Sequence, residues 1–135
     1  MHVKKIMMAE DDEEDVVLFK DILTDLAVEI SLDVAANGVE LMKMLEDAEI
    51  LPELIFLDLN MPLKNGMLCL QEIKASPRYK NSKIIILSTS SHQDQIIAAY
   101  DKGADFYMVK LCNYNDFKNA VAACLHKNWQ SVENK

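Results

Sequence analysis

Five short apolar runs recur along the chain, and each is followed by a segment whose apolar residues fall three or four apart. The runs are Lys5 to Ala9 (KIMMA), Ile30 to Ala35 (ISLDVA), Leu54 to Leu57 (LIFL), Lys83 to Leu87 (KIIIL) and Asp105 to Val109 (DFYMV). Runs this short, bounded by turn residues, read as strands buried in a sheet. Joining parallel strands takes a crossover long enough to hold a helix, so the alternation predicts an α/β domain with helices on both sheet faces.

The intervening segments carry the helix signals. Val16, Phe19, Leu23 and Leu26 form one stripe of a first helix reaching about Ala27. Leu41, Leu45 and Ala48 face inward from a second over Val39 to Asp47. A third spans about Gly66 to Lys74 and stops before Ser76-Pro77, because a residue ahead of proline disfavours helical geometry. The fourth, from about Gln93 to Lys102, ends at Gly103; the last is capped by Asn113 or Asn115 and turns Phe117, Ala120, Val121 and Cys124 inward. With right-handed crossovers, five such units give a doubly wound (βα)5 fold of flavodoxin-like strand order 2-1-3-4-5. Residues 1–127 form one domain, and 128–135 a polar tail in which Trp129 either packs back or is exposed.

Composition narrows the function. Half of the 135 residues are apolar, enough for a single sizeable core. The formal charge of −8 argues against nucleic acid as a partner, since phosphate contacts need clustered Lys and Arg. No apolar run approaches a membrane span, and the start MHVKK lacks a signal-peptide core. Cys69, Cys112 and Cys124 lack metal-type spacing and read as reduced thiols of a cytoplasmic protein, and His2, His92 and His126 are scattered.

The ends of the strands carry the chemistry. Strand one runs into the acidic cluster Glu10 to Asp15, strand three ends on Asp58, strand four on Ser88 and strand five on Lys110. A parallel sheet gathers all of these at one edge, where α/β proteins bind their ligands. Taken singly, each has an ordinary reading: a capping Asp, a solvated first turn, a surface Lys. Their joint placement is harder to explain that way. Three crowded carboxylates take up protons unless a cation neutralises them. Mg²⁺ suits such a site, using one or two carboxylates with waters and a phosphate. A lysine and a hydroxyl opposite the metal complete a cage for phosphoryl oxygens, with Asp58 as the nucleophile.

On these residues the chain resembles the receiver domains of two-component response regulators, in particular the stand-alone chemotaxis type, over about residues 4 to 127. The family's acidic pair matches Glu10 and Asp11. Its phosphoacceptor motif D-x-x-M-P-x-x-x-G is present as Asp58, Met61, Pro62 and Gly66. Its Thr/Ser, aromatic switch residue and Lys match Ser88, Tyr107 and Lys110. The resemblance implies Mg²⁺, or Mn²⁺ in its place, held by Asp11, Asp58 and the backbone carbonyl of Asn60, with Glu10 acting through water. One departure stands out: the family commonly places a cis-joined proline after its Lys, and here Leu111 follows. A cis bond before a non-proline residue costs roughly 3 kcal/mol, so a trans peptide is expected.

The function implied is that of a stand-alone receiver, a monomer or weak homodimer. It accepts a phosphoryl group on Asp58 from a histidine kinase or phosphotransfer protein and presents a changed surface to a downstream protein. It catalyses only its own phosphorylation and dephosphorylation. Two alternatives stay open. A pseudo-receiver would bind partners without phosphorylation. A haloacid-dehalogenase-like phosphatase would want a second Asp where this chain has Asn60.

Overall fold

The computed structural model describes residues 3–110, 113–127 and 129. Their elements alternate as expected: β1 (Lys4–Ala9), α1 (Glu13–Asp25), β2 (Ile30–Ala35), α2 (Gly38–Asp47), β3 (Leu54–Asp58), α3 (Gly66–Ala75), β4 (Lys83–Ser88), α4 (Gln93–Asp101), β5 (Phe106–Val109) and α5 (Tyr114–His126). The strands form one parallel sheet in the order β2-β1-β3-β4-β5. This is the doubly wound, flavodoxin-like order that the alternation predicts. No helix among the described residues is long and apolar enough to cross a membrane.

Strand alternation sorts the core into two layers. Met7, Ile55, Leu57, Ile84 and Ile86 face α2, α3 and α4 and pack on Leu41, Leu45, Leu70 and Ala99. Ile6, Met8, Phe56, Ile85 and Leu87 face α1 and α5 and pack on Phe19, Ile22, Phe117 and Val121. Every residue of β3 is therefore buried, which explains why its sequence is a continuous apolar run. Burying each such Leu, Ile or Phe side chain contributes about 1.5–3 kcal/mol. The carboxylate of Asp58 is carried at the end of this strand, near the centre of the sheet.

Caps define the helix ends. Asp12 caps α1 by accepting the N–H groups of Glu14 and Asp15. Asn37 and Asn65 do the same for α2 and α3, and Asn113, the first of the two candidates, caps α5. Gly103, at φ +107°, closes α4 in the left-handed conformation that glycine tolerates. A single 3₁₀ turn at Pro77–Tyr79 follows α3, and it has no counterpart in the apolar periodicity. Arg78 in that turn donates to the carbonyls of Leu45 and Ala48, closing the end of α2. Trp129 packs back, donating its indole N–H to the Cys124 carbonyl. Cys69 and Cys124 are free and buried. Cys112, His2 and the Lys110–Leu111 peptide involve residues outside those described.

The loop after Asp58 is closed by Gly66. Its N–H donates to the Leu59 carbonyl at 3.0 Å. A Cβ on Gly66 would run into the Asp58 carbonyl oxygen and come within 2.8 Å of Leu59 Cα. Both obstacles are backbone, so neither can swing aside. Gly66→Ala is expected to lower unfolding free energy by about 2 kcal/mol, within the usual range for overpacking, as read from urea denaturation. A variant as stable as the parent would mean that this backbone is free to shift.

Candidate phosphoryl and metal site

Each strand delivers its terminal residue to the same edge because all five run parallel. Glu10 directly follows β1 and extends its pairing, donating its N–H to the Ala35 carbonyl. Asp58 is the last residue of β3 and Ser88 the last of β4. Lys110 directly follows β5, where its N–H donates to the Ser88 carbonyl at 2.7 Å.

Glu10, Asp11 and Asp58 each bring a carboxylate oxygen within 4.8 Å of the others. Glu10 and Asp58 are only 2 % and 4 % exposed, whereas Asp11 stands open to solvent. The Lys110 ammonium faces them, donating to Glu10 Oε1 at 2.7 Å and to Asp15 Oδ2 at 3.0 Å. It lies 3.8 Å from Asp58 Oδ2, beyond hydrogen-bond reach. The Asn60 N–H donates to Asp58 Oδ1 at 3.2 Å. An open cleft of about 230 Å³ lies over the group, lined by Glu10, Asp11, Asp12, Asp15, Asp58, Asn60, Thr89 and Lys110.

The electrostatics follow from burial and crowding. Burial, reinforced by the neighbouring Asp58 carboxylate and only partly offset by Lys110, pushes the Glu10 carboxyl up to about 7. Burial by itself would lower the Lys110 pKa. Its hydrogen bonds to Glu10 and Asp15, with the charge of Asp58, outweigh that and raise it, so the ammonium stays charged. Among the described residues Lys110 thus serves three carboxylates, while Asp11 adds a fourth negative charge beside them. An oxygen-only donor set short of positive charge fits a hard divalent cation.

The structure divides the remaining predicted residues. Ser88 is fully buried, does not line the cleft, and accepts the Ser90 N–H at 3.1 Å on its hydroxyl. Tyr107 is 7 % exposed and lies in the core layer of α2, α3 and α4. Its hydroxyl donates to the Ser90 carbonyl at 2.8 Å, and its own N–H donates to the Tyr100 hydroxyl at 3.0 Å. Two residues of the site went unread in the sequence as individuals. Thr89 reaches the cleft that Ser88 does not, and Asp15, part of the acidic cluster, turns to Lys110. Asp15 occupies the third position of α1, where a carboxylate commonly bonds back to the cap.

The family model for the response regulator receiver domain matches residues 6–122. The chain belongs to that family. This receiver is 32% identical over 123 residues to the response regulator Rcp1 of Synechocystis sp., covering 87% of this chain and 84% of Rcp1. Against the nitrate/nitrite response regulator NarL of Escherichia coli it is 32% identical over 87 residues, spanning 38% of that longer protein. Its fold superposes on the phosphorylated cyanobacterial phytochrome response regulator RcpA with a TM-score of 0.84, at 32% identity over 91% of each chain. On the Mn²⁺-bound form of Rcp1 the TM-score is 0.81, at 30% identity over 93% of this chain and 94% of that one. The receiver's acidic cluster suits a divalent metal of that kind.

The raised Glu10 pKa makes stability depend on pH. In the metal-free protein the folded state binds the Glu10 proton more tightly than the unfolded state, whose value is near 4.5. Its contribution is therefore full below about pH 4.5 and is lost as pH rises through about 7. In EDTA, Tm should fall between pH 5 and pH 7.5 more steeply than in Glu10→Gln, and excess Mg²⁺ should shrink the difference. Parallel curves for the two proteins would show that the carboxyl is not perturbed.

Proposed function

We propose that this receiver accepts a phosphoryl group on Asp58 from a phosphohistidine, supplied by a sensor histidine kinase or a histidine phosphotransfer protein, in a Mg²⁺-dependent reaction. The observation that carries the reading is the gathering of Glu10, Asp11 and Asp58 within 4.8 Å, with Lys110 beside them at the edge of the sheet. Support comes also from relatives named as phosphorylated and as Mn²⁺-bound, each at least 30% identical over nine-tenths of the chain. Asp11, Asp58 and the carbonyl of Asn60 are the proposed ligands of Mg²⁺ or Mn²⁺, with Glu10 behind them. When bound, the cation supplies positive charge to the phosphoryl oxygens. Asp58 forms the new O–P bond as the donor N–P bond breaks, and the imidazole leaves with the bonding pair. Lys110 and the Ser88 hydroxyl engage phosphoryl oxygens. The functional unit is residues 1–127, with 128–135 as a polar tail, working in the cytoplasm.

The signal leaves through Ser90. Ser88 accepts its N–H and Tyr107 donates to its carbonyl, so one residue of the β4–α4 loop links the two proposed switch residues. A phosphoryl oxygen on Asp58 attracts the Ser88 hydroxyl through a charge-assisted hydrogen bond. The Ser90 N–H then loses its acceptor, the loop shifts, and the seating of Tyr107 against α4 changes with it. A downstream protein reads the resulting surface of α4, β5 and α5.

Incubation with Mg²⁺ and a small phosphodonor should add one phosphoryl group by intact mass, and Asp58→Asn should abolish the gain while folding normally. Undiminished labelling of that variant would sink the assignment, and labelling that persists in EDTA would sink the metal requirement. Turnover of an added phosphomonoester would point to a phosphatase instead. Metal binding should suffer more from Asp11→Ala than from Glu10→Ala, because a direct ligand contributes more than an outer one; equal losses would count against the split roles.

For the switch, beryllofluoride with Mg²⁺ should move amide resonances at Ser88, Ser90, Tyr107 and along α4. Shifts confined to residues lining the cleft would leave Tyr107 a permanently packed core residue.

A further inference from the structure

Among the described residues, Asp15 is the one acid bonded to Lys110 that stands outside the clustered carboxylates Glu10, Asp11 and Asp58. It sits in the first turn of α1, where its N–H is taken by the Asp12 cap and its carboxylate turns away to the cleft. An ammonium has three protons to donate. Two of them go to Glu10 and Asp15, at 2.7 and 3.0 Å, and the acceptor carboxylate is left at 3.8 Å. The cation nearest to Asp58 is therefore held off it by two other carboxylates.

From this the geometry points to Asp15 as a positioning residue that spaces Lys110 from Asp58, keeping the ammonium at ion-pair distance from Asp58 Oδ2 but beyond hydrogen-bond reach in the resting protein. The inference rests on the reading of Asp58 as phosphoacceptor. Glu10 alone cannot supply the spacing, because it is itself packed against Asp58 and pulls the ammonium towards the centre of the cluster. Asp15 pulls from the α1 side, outward. Without that pull, Lys110 closes from 3.8 Å to hydrogen-bond distance of Asp58 Oδ2 and the ion pair tightens. A paired oxygen is a poorer nucleophile and metal ligand, and the pair has to break before a phosphoryl group can take its place.

The sign of the effect separates this role from plain charge. Removing a negative charge from the rim of the cleft should by itself favour an anionic ligand. Loss of the spacer should do the opposite. Asp12 supplies the control: it lines the same cleft, carries the same charge, and Asn caps a helix as well as Asp.

The probe is beryllofluoride at saturating Mg²⁺, with affinity followed by NMR. Asp15→Asn should bind it roughly tenfold more weakly than the parent, the size of one charged hydrogen bond that now has to be broken. Asp12→Asn should bind it as well as the parent or slightly better. A metal-free crystal structure of Asp15→Asn should show Lys110 at hydrogen-bond distance from Asp58. Binding by Asp15→Asn equal to or tighter than the parent, or an unchanged 3.8 Å separation in that crystal, would overturn the spacer. A weakening of the same size in both variants would also overturn it, because the loss would then follow from charge or from the α1 cap. Failure of the unaltered protein to bind beryllofluoride would overturn the phosphoacceptor reading and the spacer together.

Discussion

The structure turns on a surplus of negative charge gathered at one edge of the sheet. Three carboxylates lie within 4.8 Å of one another and a fourth, Asp15, stands in the first turn of α1; among the described residues one ammonium, that of Lys110, pairs with three of the four. Such a cluster is costly in any fold, since burying like charges together incurs both a desolvation penalty and Coulomb repulsion. It persists because the layers beneath it are so completely apolar. β3 and β4 are buried along their whole lengths, and the two cores on either side hold the sheet whatever the charges at its edge do. The scaffold thus tolerates a site whose best-satisfied state includes a further cation.

Parallel topology made most of this site legible from the sequence. Once five strand–helix units are recognised, the carboxyl end of each strand has to arrive at the same edge, and the placement of Glu10, Asp58, Ser88 and Lys110 at that edge follows from that alone. What stayed hidden depends on side-chain direction and helix rotation. Asp15 was one of six consecutive acids, and only the roll of α1 about its axis decides that this one meets β5. Ser88 and Thr89 are adjacent hydroxyls on opposite sides of a strand end, and only the hydrogen bond to Ser90 shows that Ser88 faces inward. The 3₁₀ turn at Pro77–Tyr79 has no periodicity to betray it. Arg78 in it finds the open carbonyls at the end of α2, a contact 30 or more residues distant along the chain.

The two loops flanking Asp58 differ in what holds them, and on the proposed reading this decides where the consequences of a phosphoryl group go. On one side, the β3–α3 loop is pinned: Gly66 is bonded to Leu59 with no room for a Cβ, and Leu63 is held at φ +67° although its side chain is 81 % exposed. A leucine in the left-handed region is strained, so the surrounding loop must enforce that conformation. On the other side, three bonds of the β4–α4 loop converge on Ser90, whose N–H donates to Ser88 Oγ, whose hydroxyl accepts the His92 N–H and whose carbonyl accepts the Tyr107 hydroxyl. His92, at the start of α4, provides no side-chain cap, in contrast to the Asp and Asn residues that cap α1, α2, α3 and α5. On the proposed reading, charge added to Asp58 meets a wall fixed by backbone towards α3 and a loop held through side-chain hydroxyls towards α4. The output face on that reading is α4, β5 and α5 because the loop on that side hangs on the one residue, Ser90, that both Ser88 and Tyr107 hold, and leads into a helix without a side-chain cap.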